Sequence, residues 1–272
     1  MELAKLGLTP RSPSFVWMAR RGLRPSAIAA MSQRSGPTSW EIVEVYLEGT
    51  DEGLTDILDQ LSQAAASRGG QTVFLRLAKT DPLVDAARVS GFFPCMAETL
   101  FSRPKGGLAP WQQSDLSECP DEVRDRTPAD DHGLFRLYNA ATPAEARHLI
   151  GMTLDQWKSS RPRSEAARDE QVLEENGAIV GWLGRTFGKG ITLLEVEAHP
   201  DHASRLAALL DFDLGGAPSD KQARCLVSEH QTGLADLLAA RGFEAAGDFV
   251  SLVKRTTVSV KDGTRVRTTA SA

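Results

Sequence analysis

Leu226–Phe243 reads Leu-Val-Ser-Glu-His-Gln-Thr-Gly-Leu-Ala-Asp-Leu-Leu-Ala-Ala-Arg-Gly-Phe, and Leu75–Phe92 reads Leu-Arg-Leu-Ala-Lys-Thr-Asp-Pro-Leu-Val-Asp-Ala-Ala-Arg-Val-Ser-Gly-Phe. One offset of 151 residues joins Phe243 to Phe92, Gly242 to Gly91, Leu234 to Leu83, Glu195 to Glu44 and Val196 to Val45. Landmarks on both sides of two helix-sized segments, in register and without insertion, mark a tandem duplication.

Each copy reads as strand, helix, strand, helix, strand. In the later copy Ile191 to Ala198 is an apolar β-type run, and Leu206, Leu209 and Leu210 are spaced as on a helix over 203–212. Ala223 to Ser228 is a second strand. Thr232 then reads as an N-cap, Leu234, Leu237 and Leu238 as a buried stripe, and Gly242 as the terminator. The earlier helix carries Asp81 as N-cap, Pro82 at its first position and Gly91 at its end. Both copies finish on strands, Glu98 to Arg103 and Phe249 to Lys254. Ahead of each copy runs a meander: Phe15 to Arg20, Ala27 to Gln33 and Trp40 to Leu47 in the first, Glu170 to Glu174 and Ile179 to Thr186 in the second. Asn176-Gly177 is a tight hairpin turn. The alternation in Trp40 to Leu47 predicts Glu41, Val43 and Val45 on one face and Ile42, Glu44 and Tyr46 on the other. The second unit opens with a strand, 122–126, a helix, 131–141, and two capping boxes, Thr142-Pro143-Ala144-Glu145 and Thr153-Leu154-Asp155-Gln156.

The fold class is therefore α+β, with two mixed-sheet βαβαβ units in tandem. The expected divisions are an N-terminal segment 1–14, a first unit 15–103, a linker 104–119, a second unit 120–258 and a tail 259–272. The chain has 272 residues, 41% hydrophobic and 25% charged, enough for two cores. No run of about 18 apolar residues is present, which argues against a membrane span. Three cysteines without metal-ligand spacing point to a reducing cytoplasm. A net charge of −5 argues against nucleic acid as the main partner.

The order of elements in 120–258 resembles the GNAT superfamily of acyl-CoA-dependent N-acyltransferases. The resemblance is carried by Val196-Glu197-Ala198-His199-Pro200, by the helix-to-strand finish Leu237 to Phe243, and by Val123-Arg124-Asp125-Arg126-Thr127-Pro128-Ala129-Asp130. Through the repeat it extends to 15–103, where the first unit looks like a GNAT domain lacking its opening strand and helices. It implies acetyl-CoA or another acyl-CoA as cofactor, no metal, and a small-molecule or protein amine as acceptor.

In that family a loop of the type Arg/Gln-x-x-Gly-x-Gly/Ala cradles the coenzyme pyrophosphate at a helix N-terminus. The second unit has His199-Pro200-Asp201-His202-Ala203-Ser204-Arg205 there, without glycine, and the first has Glu48-Gly49-Thr50-Asp51-Glu52-Gly53, with three acids. By the resemblance, Val196, Ala198, Ala203, Ser204 and Arg205 are the candidate cofactor-binding residues. The family's proton-donating tyrosine falls on Leu238 and Ala87, neither of which donates. Its strand glutamate matches Glu41 as a candidate base, and Glu229-His230, at a strand end where the cleft opens, makes His230 the second candidate. Glu44 and Glu195, repeated in both copies, read instead as fold residues in an ion pair. His199 and His202 read as helix-capping or solvated residues before metal ligands. Two functions remain: an acyl-CoA-dependent N-acyltransferase, and a non-catalytic relative that senses a small ligand or scaffolds a partner protein.

Overall fold

A computed structural model of the chain describes residues 15–21, 24–33, 38–47, 53–106, 122–144, 146–147, 153–160, 168–188, 190–216 and 221–256. The expected segments 1–14 and 259–272, most of the linker and the loop at 48–52 lie outside these residues.

The first unit comprises β1 (Phe15–Arg21), β2 (Arg24–Gln33), β3 (Ser39–Leu47), α1 (Leu54–Ala66), β4 (Thr72–Ala78), α2 (Leu83–Val89) and β5 (Phe93–Arg103). The second comprises β6 (Val123–Asp125), α3 (Asp131–Ala141), α4 (Leu154–Ser160), β7 (Arg168–Glu175), β8 (Ala178–Phe187), β9 (Ile191–Ala198), α5 (Leu206–Gly216), β10 (Gln222–Ser228), α6 (Leu234–Ala239) and β11 (Glu244–Arg255). The local chemistry behind several elements is direct. Thr153 N–H donates to Gln156 Oε1 at 2.9 Å and Gln156 N–H to Thr153 Oγ1 at 3.3 Å, closing the box that starts α4. Asn176 (φ 52°) and Gly177 (φ 76°) make the β7–β8 turn with two left-handed residues. Asp81 Oδ1 accepts from Leu83 N–H at 2.9 Å at the start of α2. Its counterpart α6 differs from expectation. Gly233, left-handed at φ 83°, is the N-cap in place of Thr232, because Ser228–Gln231 forms a hydrogen-bonded turn that shifts the chain entry.

All eleven strands form one mixed sheet in the order β1-β2-β3-β4-β11-β5-β10-β9-β8-β7-β6. The two units exchange their last strands. β11 lies between β4 and β5, and β5 lies between β11 and β10. The β5–β11 register pairs Glu244 with Ser102, Phe249 with Glu98, and Val253 with Phe93. Shifting by the repeat offset maps this register onto itself, so a local twofold axis passes between Glu98 and Phe249. Two ladder irregularities, at Cys95 and Ala246, are related by the same operation. The cores follow the exchange. Leu252 of β11 is fully buried in the first unit's core with Trp40, Leu58 and Leu75, and its repeat equivalent Phe101 of β5 lies in the second unit's core with Leu194, Leu209 and Cys225.

The second unit's entry is held by Arg124, whose guanidinium donates twice to Asp130 at 2.8 Å, while Asp130 accepts from Thr127 N–H at 2.7 Å. Arg124 holds the Asp130 carboxyl well below the usual carboxylate range; burial opposes this and Thr127 assists it. The folded pKa lies below the unfolded one, so the contribution is present above the unfolded value and is lost as pH falls through the folded one. Wild-type urea midpoints should therefore rise from about pH 2 to about pH 5. In Asp130→Asn that rise should flatten.

Strand exchange gives a second expectation. Leu252→Ala should cost roughly 2–5 kcal/mol, as for other buried leucines. Because β11 links both units, native-state hydrogen exchange should show protection in β4 and in β9–β10 falling together.

Candidate functional site

Each unit contains a wedge where two parallel strands part. β3 pairs with β4 only over Ser39–Ile42 and Thr72–Leu75, and β9 pairs with β10 only over Ile191–Leu194 and Gln222–Cys225. Beyond those residues main-chain groups face a gap instead of a neighbouring strand. The two wedges are finished differently.

In the first unit β3 carries a bulge. Ala30 pairs with Glu44 and Met31 with Ile42, so Val43 is left over, and Val45 rejoins Trp40 and Ile42 in the core. The strict alternation expected for this strand is thus overturned at Val43, where one extra residue reverses the facing of the rest of the strand. A partly open cavity of about 40 Å³ begins at this point, lined by Val43, Glu44, Arg76, Ala78, Asp81 and Phe249 among others. By that measure it holds roughly three waters. Phe249 is on β11, so one wall of the first unit's cavity comes from the other half of the chain. The helix that follows β3 begins at Gly53, left-handed at φ 102° and with open space where a Cβ would stand, and among the described residues no side-chain cap is made at its N-cap position.

Arg76 is the charged centre of this region. It donates to Glu98 from Nε at 2.8 Å and from Nη2 at 3.2 Å, and Nη1 lies 3.8 Å from Glu41. Ser251 Oγ donates to Glu98 Oε2 at 2.6 Å. Burial disfavours the Arg76 charge, but Glu98 and Glu41 together raise its pKa above the ordinary value. Glu41, the candidate base, is therefore a buried partner of Arg76 beside the cavity, and Glu44 is the β3 carboxylate that lines it.

In the second unit β9 runs to its end without a bulge. Gln231 spans the wedge there. Its Nε2 donates to Val196 carbonyl at 2.7 Å and its Oε1 accepts from Ser228 N–H at 2.9 Å. Val196 packs in the core with Ala198 against it. Ala203, Ser204 and Arg205 belong to a 3₁₀ turn, Pro200–Arg205, where a glycine loop was the family's pattern, and Arg205 is ion-paired with Glu122. His199 caps this turn by accepting from Asp201 N–H at 3.3 Å, and His202 Nδ1 lies 2.7 Å from Glu175. Among the described residues no group of three or more His, Cys, Asp or Glu side chains could hold a metal ion. His230 is half-buried after β10; burial lowers its pKa, with Glu229 and Glu98 opposing, which favours the neutral imidazole. Cys225 is buried, and desolvation first and then Glu195 push its thiol up to about 12, leaving it an inert core residue. Among the described residues no helix is long and apolar enough to cross a membrane.

Comparison with known proteins bears on the fold. No family model matches the chain, and no curated protein matches it. Solved structures do. A tandem GNAT protein from the clavulanic acid biosynthesis pathway superposes with a TM-score of 0.56 at 15% identity, covering 88% of this chain and 82% of its own. A GCN5-related N-acetyltransferase from Sphaerobacter thermophilus gives 0.54 at 18% identity, covering 85% and 77%. The fold is GNAT-like. Saccharomyces cerevisiae N-myristoyltransferase, with bound myristoyl-CoA, gives 0.54 at 11% identity, covering 85% of this chain and 64% of its own. At these identities the GNAT-like likeness is one of architecture, and the chemistry must be read from the wedges.

Charged residues inside apolar strands were the available sign of the Arg76 cluster: Arg76 interrupts Phe74-Leu75-Arg76-Leu77, and Glu98 stands in a strand otherwise rich in apolar residues. Gln231, in a polar turn, carried no such mark. The cluster makes its own prediction. Arg76→Met should destabilise the protein by roughly 3–5 kcal/mol by leaving the buried Glu98 without its cationic partner. Arg76→Met combined with Glu98→Leu should recover most of that loss in urea unfolding.

Proposed function

We propose that this chain binds an acyl-CoA in the wedge of its first unit and transfers the acyl group to an amine. The observation that supports the reading most is the difference between the wedges: the first has a bulge and a cavity at its parting point, whereas Gln231 fills the second. For that reason we assign the coenzyme to the first wedge in preference to Val196, Ala198, Ala203, Ser204 and Arg205.

The residues present suit such a ligand. Main chain beyond Ile42 offers an edge to an extended amide, and the first turn of α1 after Gly53 offers the positive end of a helix to a phosphate. Asp56 in that turn opposes the phosphate, as do the acids Glu48, Asp51 and Glu52 just ahead of it in the sequence. When bound, the coenzyme supplies an acyl thioester. Glu44 takes the proton of an incoming ammonium, which leaves the amine neutral and nucleophilic. Asp81 already accepts from Leu83 N–H and serves chiefly to hold α2. Glu41 and Glu98 fix Arg76 at the wall, and His230 belongs to the second wedge.

A non-catalytic ligand sensor or scaffold is favoured by one specific observation. Ala87 and Leu238, where the family places its proton donor, are apolar and fully buried. Calorimetric titration with acetyl-CoA, and with coenzyme A lacking its 3′-phosphate, tests the first reading. Wild type should bind with micromolar affinity, more weakly without the phosphate. Ala78→Phe should weaken binding at least tenfold while the unfolding midpoint changes little. Absence of heat up to millimolar acetyl-CoA would sink the acyl-CoA reading and leave the scaffold.

A further inference from the structure

We infer that Gln231 is a built-in plug, which closes a second ligand wedge between β9 and β10, so that the chain binds one extended amide ligand and keeps a second, latent site. The inference rests on the acyl-CoA reading for the identity of the ligand, and on the geometry of the second wedge for the plug.

Val196 stands two residues past Leu194, the last β9 residue paired with β10, and Ser228 stands three past Cys225, the last β10 residue paired with β9. Between these diverging ends a bound ligand would have to satisfy one carbonyl and one N–H. An extended secondary amide does that with its own N–H and C=O. The primary amide of Gln231 presents the same pair in the same gap, donating to Val196 carbonyl at 2.7 Å and accepting from Ser228 N–H at 2.9 Å. The side chain is aimed by its own backbone: Gln231 N–H donates to Ser228 carbonyl at 2.9 Å, and Gln231 carbonyl accepts from Leu234 N–H at 3.3 Å. The tight turn and the start of α6 thus hold the Gln231 Cα at the mouth of the wedge.

The repeat supplies an internal comparison. At the equivalent place the first unit has Thr80, two bonds shorter and exposed, and its wedge holds the cavity. Thr80 does not bridge β3 to β4 in that way. Two units of the same topology therefore differ at the residue that decides whether the gap is filled from within.

The test uses the full chain, wild type and Gln231→Thr, which copies the first unit; Gln231→Ala is the second variant should the threonine perturb the turn. Two readouts are independent. Without ligand, Ser228 amide exchange should be at least tenfold faster in the variants, with cooperative unfolding kept. With acetyl-CoA, calorimetry should give one site per chain in wild type and two in the variants.

Two sites in wild type would overturn the inference, as would unchanged Ser228 exchange in the variants, or a single site in variants whose exchange has accelerated. A wild type that binds nothing beside a variant that binds one equivalent would support the plug and overturn our placement of the coenzyme in the first wedge. If neither protein binds acetyl-CoA, the acyl-CoA reading falls, and Ser228 exchange alone decides the plug: accelerated exchange in the variants supports it and unchanged exchange overturns it.

Discussion

The antiparallel pair of β5 and β11 is the constraint on which the rest of the structure depends. Each strand is the last of its own unit, yet each is inserted beside the partner unit's parallel pair: β11 on β4, β5 on β10. Each therefore carries a core residue into the other half, Leu252 into the first core and Phe101 into the second. Two duplicated units could each have closed their own sheets. Exchange instead produces one eleven-stranded sheet in which neither unit's central strands are complete alone. Unpaired main-chain groups at those strands would be costly, and the exchanged strands pair with them, β11 over Thr72–Ala78 and β5 over Ala223–Ser228.

The twofold axis also explains where the duplication had to diverge. Glu98 and Phe249 are repeat equivalents and direct cross-strand partners. A carboxylate at both positions would face its own copy, and like charges directly opposite on a sheet are destabilising. Here one is a carboxylate and the other a phenyl ring, and their neighbours follow suit. Around Glu98 stand Arg76, Ser251 and Glu41, whose repeat equivalents are Val227, Leu100 and Thr192. Around Phe249 gather Leu100, Leu193, Leu226 and Ala78. Arg76 from the polar group and Phe249 and Ala78 from the apolar group all line the cavity of the first wedge.

Much of this was legible in the sequence, and the reasons are local. The offset from Phe92 to Phe243 needs only pattern matching; the Thr153 box, the Asn176-Gly177 turn and the closing glycines Gly91 and Gly242 are decided within a few residues of chain. Strand exchange was not legible, since two separate sheets and one shared sheet require the same apolar strands and differ only in long-range pairing. The Val43 bulge was hidden because Glu41, Val43 and Val45 alternate as an unbroken strand would, and only the register against β2 reveals the extra residue. Of the candidate residues, Glu41 was named on its strand without its ion pair to Arg76, and Gln231 was invisible because a glutamine in a polar turn has no reason to point inward until both wedge strands are in place.

Exchange and asymmetry together answer why a second unit with a filled wedge is retained at full size. Phe249 walls the first cavity, and Ser251 holds Glu98, which in turn holds Arg76 at the same cavity; both residues lie on β11. The position of β11 is set by β10 and β9 through β5, and by the α5 and α6 core behind them. A change that loosens the second core therefore reaches the first wedge through one strand, without any contact with a ligand. On this account the second unit's own wedge is free to be closed by Gln231, since what the first unit requires from it is a rigid strand.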